Sequence, residues 1–239
     1  MITKQEFARR RQRLMESMEP DSIAIIASNQ ELIRSRDTHF SFRQDSDFHY
    51  LCGFPEPNAV MVLMPGREHG EFVLFCNEKD EEQETWHGRR YGPDATLEQF
   101  GADDAFPIDD IDDILPGMME GRHRIYYEMG KNKELDNQVM AWVNKIRAQV
   151  KKGAIPPGEF IDLRHSLHDM RLFKSAAEIK LMQQSATIAA NAHKRAMMVC
   201  QPGMTELDIE AELHHEFARS GARYPAYSSI IAAGDNANI

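Results

Sequence analysis

The hydrophobic pattern at the start of the chain changes from helical to strand-like spacing. Between Thr3 and Met18, apolar side chains recur close to helical spacing among charged residues, which predicts an amphipathic helix with Thr3 as its N-cap. A continuous apolar run at 23–27 follows, bounded by Pro20 and Asn29. Such a run between turn-forming residues is typical of a strand buried on both faces. The first two elements therefore predict a helix that packs against a sheet.

Further apolar runs extend this pattern to residue 150. The runs at 59–64 and 71–76 are separated by Pro65 and Gly66 and predict an antiparallel hairpin. Residues 124–128 predict another strand. Helical periodicity of apolar positions predicts helices over residues 108–119 and 135–150. Strands mixed with helices in this way predict an α/β layer structure around a mixed sheet.

The last third of the chain has a different pattern, dominated by long helices. Ser175 and Glu178 have the spacing of a capping box, which predicts a helix that runs to about Cys200. Thr205 predicts the cap of a second helix, and residues 224–233 predict the start of a strand or hairpin. This region therefore resembles the first part of a helix-and-strand domain.

A domain boundary is expected near Phe173. The segment 151–158, which is rich in Gly and Pro, predicts a loop that ends the preceding helix. The α/β pattern is complete before Phe173, and the two long helices follow it. We therefore expect one α/β domain over residues 1–172 and the incomplete beginning of another over 173–239.

Charge and cysteine content narrow the class of function. The formal net charge is -10, and the densest basic run, at 9–11, lies on the first predicted helix, so nucleic acid is not an expected partner. Cys52, Cys76 and Cys200 are far apart and form no C-x-x-C pair, which predicts neither a disulfide framework nor a zinc site. The chain has no apolar run of signal-peptide or membrane-span type, so we expect a cytoplasmic protein without a membrane partner.

Histidine pairs provide the first candidates for chemistry. His214 and His215 are adjacent, so their side chains project about 100° apart on a helix, whereas a helical zinc motif needs histidines four residues apart. His165 and His168 are compatible with one helical face, but no carboxylate motif completes them. The sequence also lacks a nucleophile elbow and a phosphate-binding glycine loop. These patterns predict no metal or nucleophilic site.

A tryptophan beside two arginines is the other candidate. Trp86 is followed closely by Arg89 and Arg90 in a stretch that Gly88 predicts to be a loop. Such a group is suited to stacking or to carboxylate recognition. A packed tryptophan next to solvated arginines is the more ordinary interpretation of this pattern, and the residues alone favour it over a recognition site.

Four ordered segments carry a resemblance to a known family. Residues 43–57, RQDSDFHYLCGFPEP, closely resemble a motif of the N-terminal domain of bacterial aminopeptidase P. The further segments are TWHGRRYG at 85–92, LHDMRLFKSAAE at 167–178, and residues 214–228 followed by Gly-Asp-Asn-Ala at 234–237. Prolidases share part of this pattern, but the Trp-x-Gly-Arg-Arg segment is closer to the proteobacterial aminopeptidases. Creatinase shares the architecture and lacks the metals.

The resemblance implies a fold and an activity. Family members have an N-terminal α/β domain followed by a pita-bread (α+β) metallopeptidase domain, of which this chain would contain the first helices. That domain binds two metal ions, usually manganese, through two aspartates, one histidine and two glutamates, all expected downstream of Ile239. The implied function is an Xaa-Pro aminopeptidase, which acts on peptides with proline in the second position and works as a dimer or tetramer. We expect the 239 residues alone to be inactive.

The resemblance also assigns supporting roles to two residues. Tyr227 matches a tyrosine beside the metal site, where its hydroxyl would orient a ligating carboxylate. Trp86 matches a tryptophan that reaches towards the active-site cleft of a neighbouring subunit and would contribute to substrate binding there. No residue of the chain is assigned a catalytic or metal-binding role. Two alternatives stay open: a prolidase that cleaves Xaa-Pro dipeptides, and a truncated product that serves only in assembly.

Overall fold

The computed structural model describes residues 2–238. These residues form two compact units, 2–173 and 174–238. The first unit contains helices α1 (Lys4–Glu16), α2 (Ser46–Cys52), α3 (Glu81–His87), α4 (Gly92–Phe100), α5 (Ile111–Met119), α6 (Lys133–Arg147) and α7 (Arg164–Leu172). Its strands are β1 (Ser22–Ala27), β2 (Ile33–Ser35), β3 (Thr38–His39), β4 (Val60–Leu63), β5 (Phe72–Cys76), β6 (Asp104–Pro107), β7 (Arg124–Tyr127) and β8 (Glu159–Asp162). Short 3-10 turns occupy Ile108–Asp110 and Val150–Lys152.

A six-stranded mixed sheet is the centre of the first unit. The strand order is β6-β5-β4-β1-β7-β8, while β2 and β3 form a separate two-stranded hairpin. Strand β1 pairs antiparallel with β4 and parallel with β7, so that Ala24 lies between Leu63 and Tyr126. The hairpin of β4 and β5 is antiparallel, as predicted. The mixed α/β fold expected from the sequence is thus confirmed.

Side chains from alternate positions of β1 enter two different cores. Ala24 and Ile26 point towards the face covered by α1, α2 and α7, whereas Ile23 and Ile25 point towards the face covered by α5 and α6. Successive side chains of a strand project to opposite faces, so a strand covered on both sides needs apolar residues at every position. This is why the central strands appear in the sequence as continuous apolar runs.

The second unit consists of two long helices and an irregular segment. Helix α8 (Ala176–Val199) begins with the predicted capping box of Ser175, and α9 (Glu206–Arg219) begins with a similar box of Thr205. Arg195 of α8 donates to Glu212 of α9 over 2.6 Å. Among residues 2–238, no helix combines the length and apolar character needed to cross a bilayer.

The strand predicted over 224–233 is wrong. These residues form no strand, and a 3-10 turn at Gly234–Asn238 follows them. The backbone N–H of Ala233 and the side-chain amide of Asn236 instead donate to Glu206, over 2.7 and 3.0 Å. A strand needs a neighbouring strand for its backbone groups, and the described residues of this unit contain none.

Candidate functional site

The segment 43–57 folds into helix α2 and the turns around it. Asp45 caps the helix, because its Oδ1 accepts from the backbone N–H groups of Asp47 and Phe48 over 2.9 Å each. Gly53 ends the helix in the left-handed conformation with φ 69°. A Cβ atom there would lie 2.5 Å from the Phe7 ring of α1, so both the backbone and the packing require glycine.

Two arginines of α1 satisfy the carboxyl end of α2. Arg10 and Arg11 are buried and donate to the backbone carbonyls of Tyr50 and Leu51, each over 3.0 Å. Their guanidinium groups also lie over the rings of Tyr50 and Phe72. Arg10 and Arg11 of the basic run are therefore part of the interior, where they offset the partial negative charge of a helix end, whereas Arg9 is exposed.

Gln44 connects the beginning of the segment 43–57 to its end. Its Oε1 accepts from the N–H groups of Asn29 and Asp45, and its Nε2 donates to the carbonyls of Phe54 and Glu56. All four hydrogen-bonding positions of this amide are used. Gln44 thus fixes Glu56 relative to the cap of α2.

A charge cluster surrounds the amino end of α2. Lys131 lies 2.8 Å from Asp45 Oδ2 and also pairs with Glu128, which follows the end of β7. Arg171 of α7 pairs with Asp47. Both aspartates are buried, so each carboxylate removed from water is matched by a nearby cation.

The pKa directions follow from this pairing. Burial would raise the pKa of Asp45, but hydrogen bonds from Lys131 and from the N–H groups of Phe48 and Asp47 outweigh it, and the pKa is lowered. Burial opposes the charge on Lys131 too, yet its two carboxylate partners raise its pKa. Burial dominates at Glu128, whose pKa is raised despite its bond with Lys131.

The same cluster is the place to test for a metal ion. Of the residues 2–238, only Asp45, Asp47 and Glu128 bring three ligand atoms of this class within 4.8 Å of one another. Lys131 and Arg171 already pair with these carboxylates, however. An ion would have to displace cations that the fold holds in place, so this donor set does not fit a resident metal centre, and the geometry favours a structural link between α2, the end of β7 and α7.

A cleft of about 550 Å³ lies beside the cluster. Asp45, Glu128 and Lys131 contribute to its wall, and the exposed apolar side chains Leu32 and Phe40 contribute to its rim. The cleft therefore combines apolar walls with charged groups, but those charges are already paired within the wall.

Trp86 lies on helix α3, where the sequence had predicted a loop. Helix α3 begins at the cap residue Asp80 and ends at Gly88, whose φ is 88°. Three glutamates of its first turn stabilise the short helix through its dipole. The Trp86 side chain is 79% exposed, so it is not a packed core tryptophan.

Tyr227 and the histidine pair lie in the second unit. Tyr227 is 76% exposed in the irregular segment after α9. His214 Nε2 lies 3.0 Å from Ser229 Oγ and 3.6 Å from Glu210 Oε1, and His215 is exposed on the same helix. Neither histidine belongs to a metal-type cluster of the described residues.

Sequence reasoning did not find the charge cluster. Its members come from three distant parts of the chain, and one local signal is the Asp-x-Asp spacing of Asp45 and Asp47. Glu128 at the end of a predicted strand is a second signal, because β7 lies next to β1 in the sheet. The pairing with Lys131 and Arg171 follows only from the tertiary fold.

Comparison with known proteins agrees with the geometry of both units. Residues 7–126 match the family model described as the N-terminal domain of aminopeptidase P, and residues 180–239 match the model of metallopeptidase family M24. The chain is 42% identical over 239 residues to an Xaa-Pro aminopeptidase of Escherichia coli and 36% identical over 238 residues to one of Haemophilus influenzae. It covers 54% and 53% of those two proteins, about half of their length.

Solved structures give the same result. The Pseudomonas aeruginosa aminopeptidase PepP is 58% identical and superimposes with a TM-score of 0.97, over 99% of this chain and 53% of that one. Aminopeptidase P of Escherichia coli with the inhibitor Pro-Leu is 42% identical, with a TM-score of 0.94 over 98% of this chain and 54% of that one. The chain therefore belongs to the aminopeptidase P family of M24 metallopeptidases.

Proposed function

We propose that this chain is the amino-terminal part of a metal-dependent Xaa-Pro aminopeptidase, which releases the residue that precedes proline. The observation that carries the proposal is the continuous likeness, at 58% identity and a TM-score of 0.97, to a solved aminopeptidase. The two family models match in the order expected for such an enzyme. Its substrates would be peptides with proline in the second position.

The metal site of the proposed enzyme lies outside the described residues. The description of the M24 family as metallopeptidases supports a bound metal. We propose further that the site holds two divalent ions and that these are manganese. Within residues 2–238, the only group of three potential metal ligands that lie within 4.8 Å of one another is already paired with Lys131 and Arg171. No step of the hydrolysis is therefore assigned to this cluster.

The chain would contribute positioning and assembly to such an enzyme. We propose that residues 1–172 form the N-terminal domain, that the protein is a cytoplasmic homo-oligomer, and that Trp86 contacts substrate near a neighbouring subunit. The high exposure of Trp86 is compatible with this role, because an indole in water can be covered by a partner. Tyr227 would orient a metal-binding carboxylate, and the high exposure of this residue is compatible with the role.

An assay of two polypeptides tests the proposal. The protein encoded by the complete reading frame and the 239-residue chain are each supplied with Mn²⁺ and either an Xaa-Pro-Yaa tripeptide or an Xaa-Pro dipeptide. We expect the complete protein alone to release the first residue of the tripeptide, and a chelator to abolish the release. Cleavage of the dipeptide only would identify a prolidase, and no cleavage by either polypeptide would favour a role in assembly.

A further inference from the structure

Residues 79–92 form a largely exposed segment, called here the arm, whose helix α3 buries none of its residues. A seven-residue helix without a buried face has little intrinsic stability in water. The structure of the arm must therefore be imposed at its two ends.

The first anchor is the closure of the arm between Lys79 and Gly92. Gly92 has φ 69°, and a Cβ atom there would lie 3.3 Å from both the backbone N and the Cβ of Lys79. Asp80 then caps α3 by accepting from the N–H groups of Glu82 and Gln83, over 2.9 and 3.1 Å. This anchor sets where the arm leaves the domain.

The second anchor is Tyr91, which fixes the irregular segment that returns from α3 to the domain. Its ring packs against Phe100 and Phe54, with centroid distances of 4.9 and 6.0 Å. Its backbone N–H donates to Glu56 Oε1 over 2.7 Å. The preceding residue, Arg90, donates its N–H to Glu84 of α3 over 3.1 Å, so the position of Tyr91 is transmitted to the helix.

Glu56 occupies an unfavourable environment for a carboxylate. Its Oε2 is buried and has no hydrogen-bond partner in the described part of the chain. Burial raises its pKa, the N–H of Tyr91 and the charge of Arg90 oppose this, and Glu84 adds to it. Its carbonyl is held by Gln44 over 2.8 Å. Burial therefore disfavours the charged carboxylate, and the hydrogen bond from the N–H of Tyr91 compensates for part of this penalty.

We propose that Glu56 is a positioning residue. The hydrogen bond that it accepts from the N–H of Tyr91 fixes the arm, and the fixed arm sets the orientation of the Trp86 side chain. The hydrogen bond from Tyr91 to Glu56 and the nearby charge of Arg90 connect the end of the arm to the segment 43–57. This inference concerns the shape of the arm and does not depend on the reaction proposed above.

The test compares Glu56→Ala with Glu56→Gln in the 239-residue chain, with the exposed Glu68→Gln as a matched control. Glutamine keeps an oxygen acceptor for Tyr91, whereas alanine removes it. Three readouts apply to each variant: tryptic cleavage after Arg89 and Arg90, amide hydrogen exchange of the arm, and the ¹⁹F signal of Trp86 in 5-fluorotryptophan-labelled protein. Trp86→Phe assigns that signal.

We expect Glu56→Ala to accelerate arm cleavage and exchange roughly tenfold and to shift the Trp86 signal, while exchange in the central strands stays unchanged. Glu56→Gln should restore most of the parent's behaviour, and Glu68→Gln should match the parent. If alanine prevents folding, Glu56→Asp withdraws the carboxylate by one methylene and should loosen the arm to a smaller degree.

Three results would overturn the proposal. The first is an unchanged arm in Glu56→Ala or, where that variant does not fold, in Glu56→Asp. The second is acceleration that extends equally to the central strands, which indicates general destabilisation. The third is a Glu56→Gln arm as loose as that of the alanine variant, because a hydrogen-bond acceptor would then not be what holds it.

Discussion

Residues 2–173 and 174–238 begin their helices with the same local devices but differ in what those helices cover. Thr3 caps α1 as Ser175 caps α8, each with its side-chain oxygen on a backbone N–H. In the first region the helices cover both faces of a sheet and bury a large set of apolar side chains. In the second, Ala192 is the one buried hydrophobic residue among those described.

The difference shows that helix formation and core formation have separate causes. Capping boxes and helix-forming residues define α8 and α9 although Leu207, Met197 and Met198 are each more than 70% exposed. Caps contribute about 0.5 to 2 kcal/mol each, whereas a fully buried apolar side chain contributes about 1.5 to 3 kcal/mol. Only the first region has enough such burial for cooperative stability.

The largest expected contrast comes from expressing the two regions separately. We expect residues 1–173 to unfold in one cooperative transition, because both cores and the whole six-stranded sheet lie within them. Residues 174–239 should retain some helix but show no cooperative transition. Thermal unfolding followed by circular dichroism checks both, and a sharp transition in the second polypeptide would contradict this interpretation.

A pair of truncations should then separate core from surface in the intact chain. Phe75→Ala removes a fully buried ring from β5 and should lower the free energy of unfolding by about 3 to 5 kcal/mol. Leu207→Ala, at a side chain that is 71% exposed, should change it by less than about 0.5 kcal/mol. Denaturant titration measures both values, and a cost at Leu207 similar to that at Phe75 would show that α9 has a core of its own.

Removing a cation from the charge cluster should have a smaller effect that depends on pH. Lys131→Met leaves Asp45 and Glu128 without their shared partner and should cost about 1 to 3 kcal/mol near neutral pH. Lys152→Met, an exposed lysine, is the matched control. Denaturant titrations of both variants and the parent measure this cost.

The stability that Lys131→Met removes should be lost from the parent protein at both low and high pH. The pKa of Asp45 is lowered on folding, so its contribution is present above the ordinary value of 3.8 and is lost as pH falls through the lowered pKa. The pKa of Lys131 is raised, so its contribution is present below the ordinary value of 10.5 and is lost as pH rises through the raised pKa. A loss that does not vary with pH, or stabilisation of the parent by Mn²⁺ at these carboxylates, would be inconsistent with the pairing.

The smallest expected effect concerns a cap. Ser175→Ala removes the acceptor for the N–H of Glu178 and should destabilise the first turn of α8 by about 0.5 to 2 kcal/mol. The exposed Ser185→Ala in the same helix is the control and should change the helix little. Amide exchange over residues 176–180 measures the difference. Equal exchange in the two variants would mean that the cap contributes nothing here.

The sequence by itself determined the elements whose signals are local. The structure confirms the predicted caps at Thr3, Ser175 and Thr205, because a cap depends on residues within one helical turn. It also confirms the strands predicted from apolar runs, β1, β4, β5 and β7, because a strand buried on both faces is apolar at successive positions. The order of motifs along the chain likewise predicted the family, which the family models confirm. The short strands β6 and β8 escaped prediction because four residues without strict alternation carry little periodic signal.

Only the tertiary structure decided which distant residues meet. Lys131 pairs with Asp45 and Arg171 pairs with Asp47, which joins three separate segments of the chain. Glu56 likewise reaches Tyr91 across 35 positions of the chain. The absence of a strand at 224–233 was decided in the same way, since the described residues of its unit offer no strand to pair with. Local signals come from hydrogen bonds and side-chain spacing within a few residues, whereas these contacts depend on the sheet order that brings separate segments together.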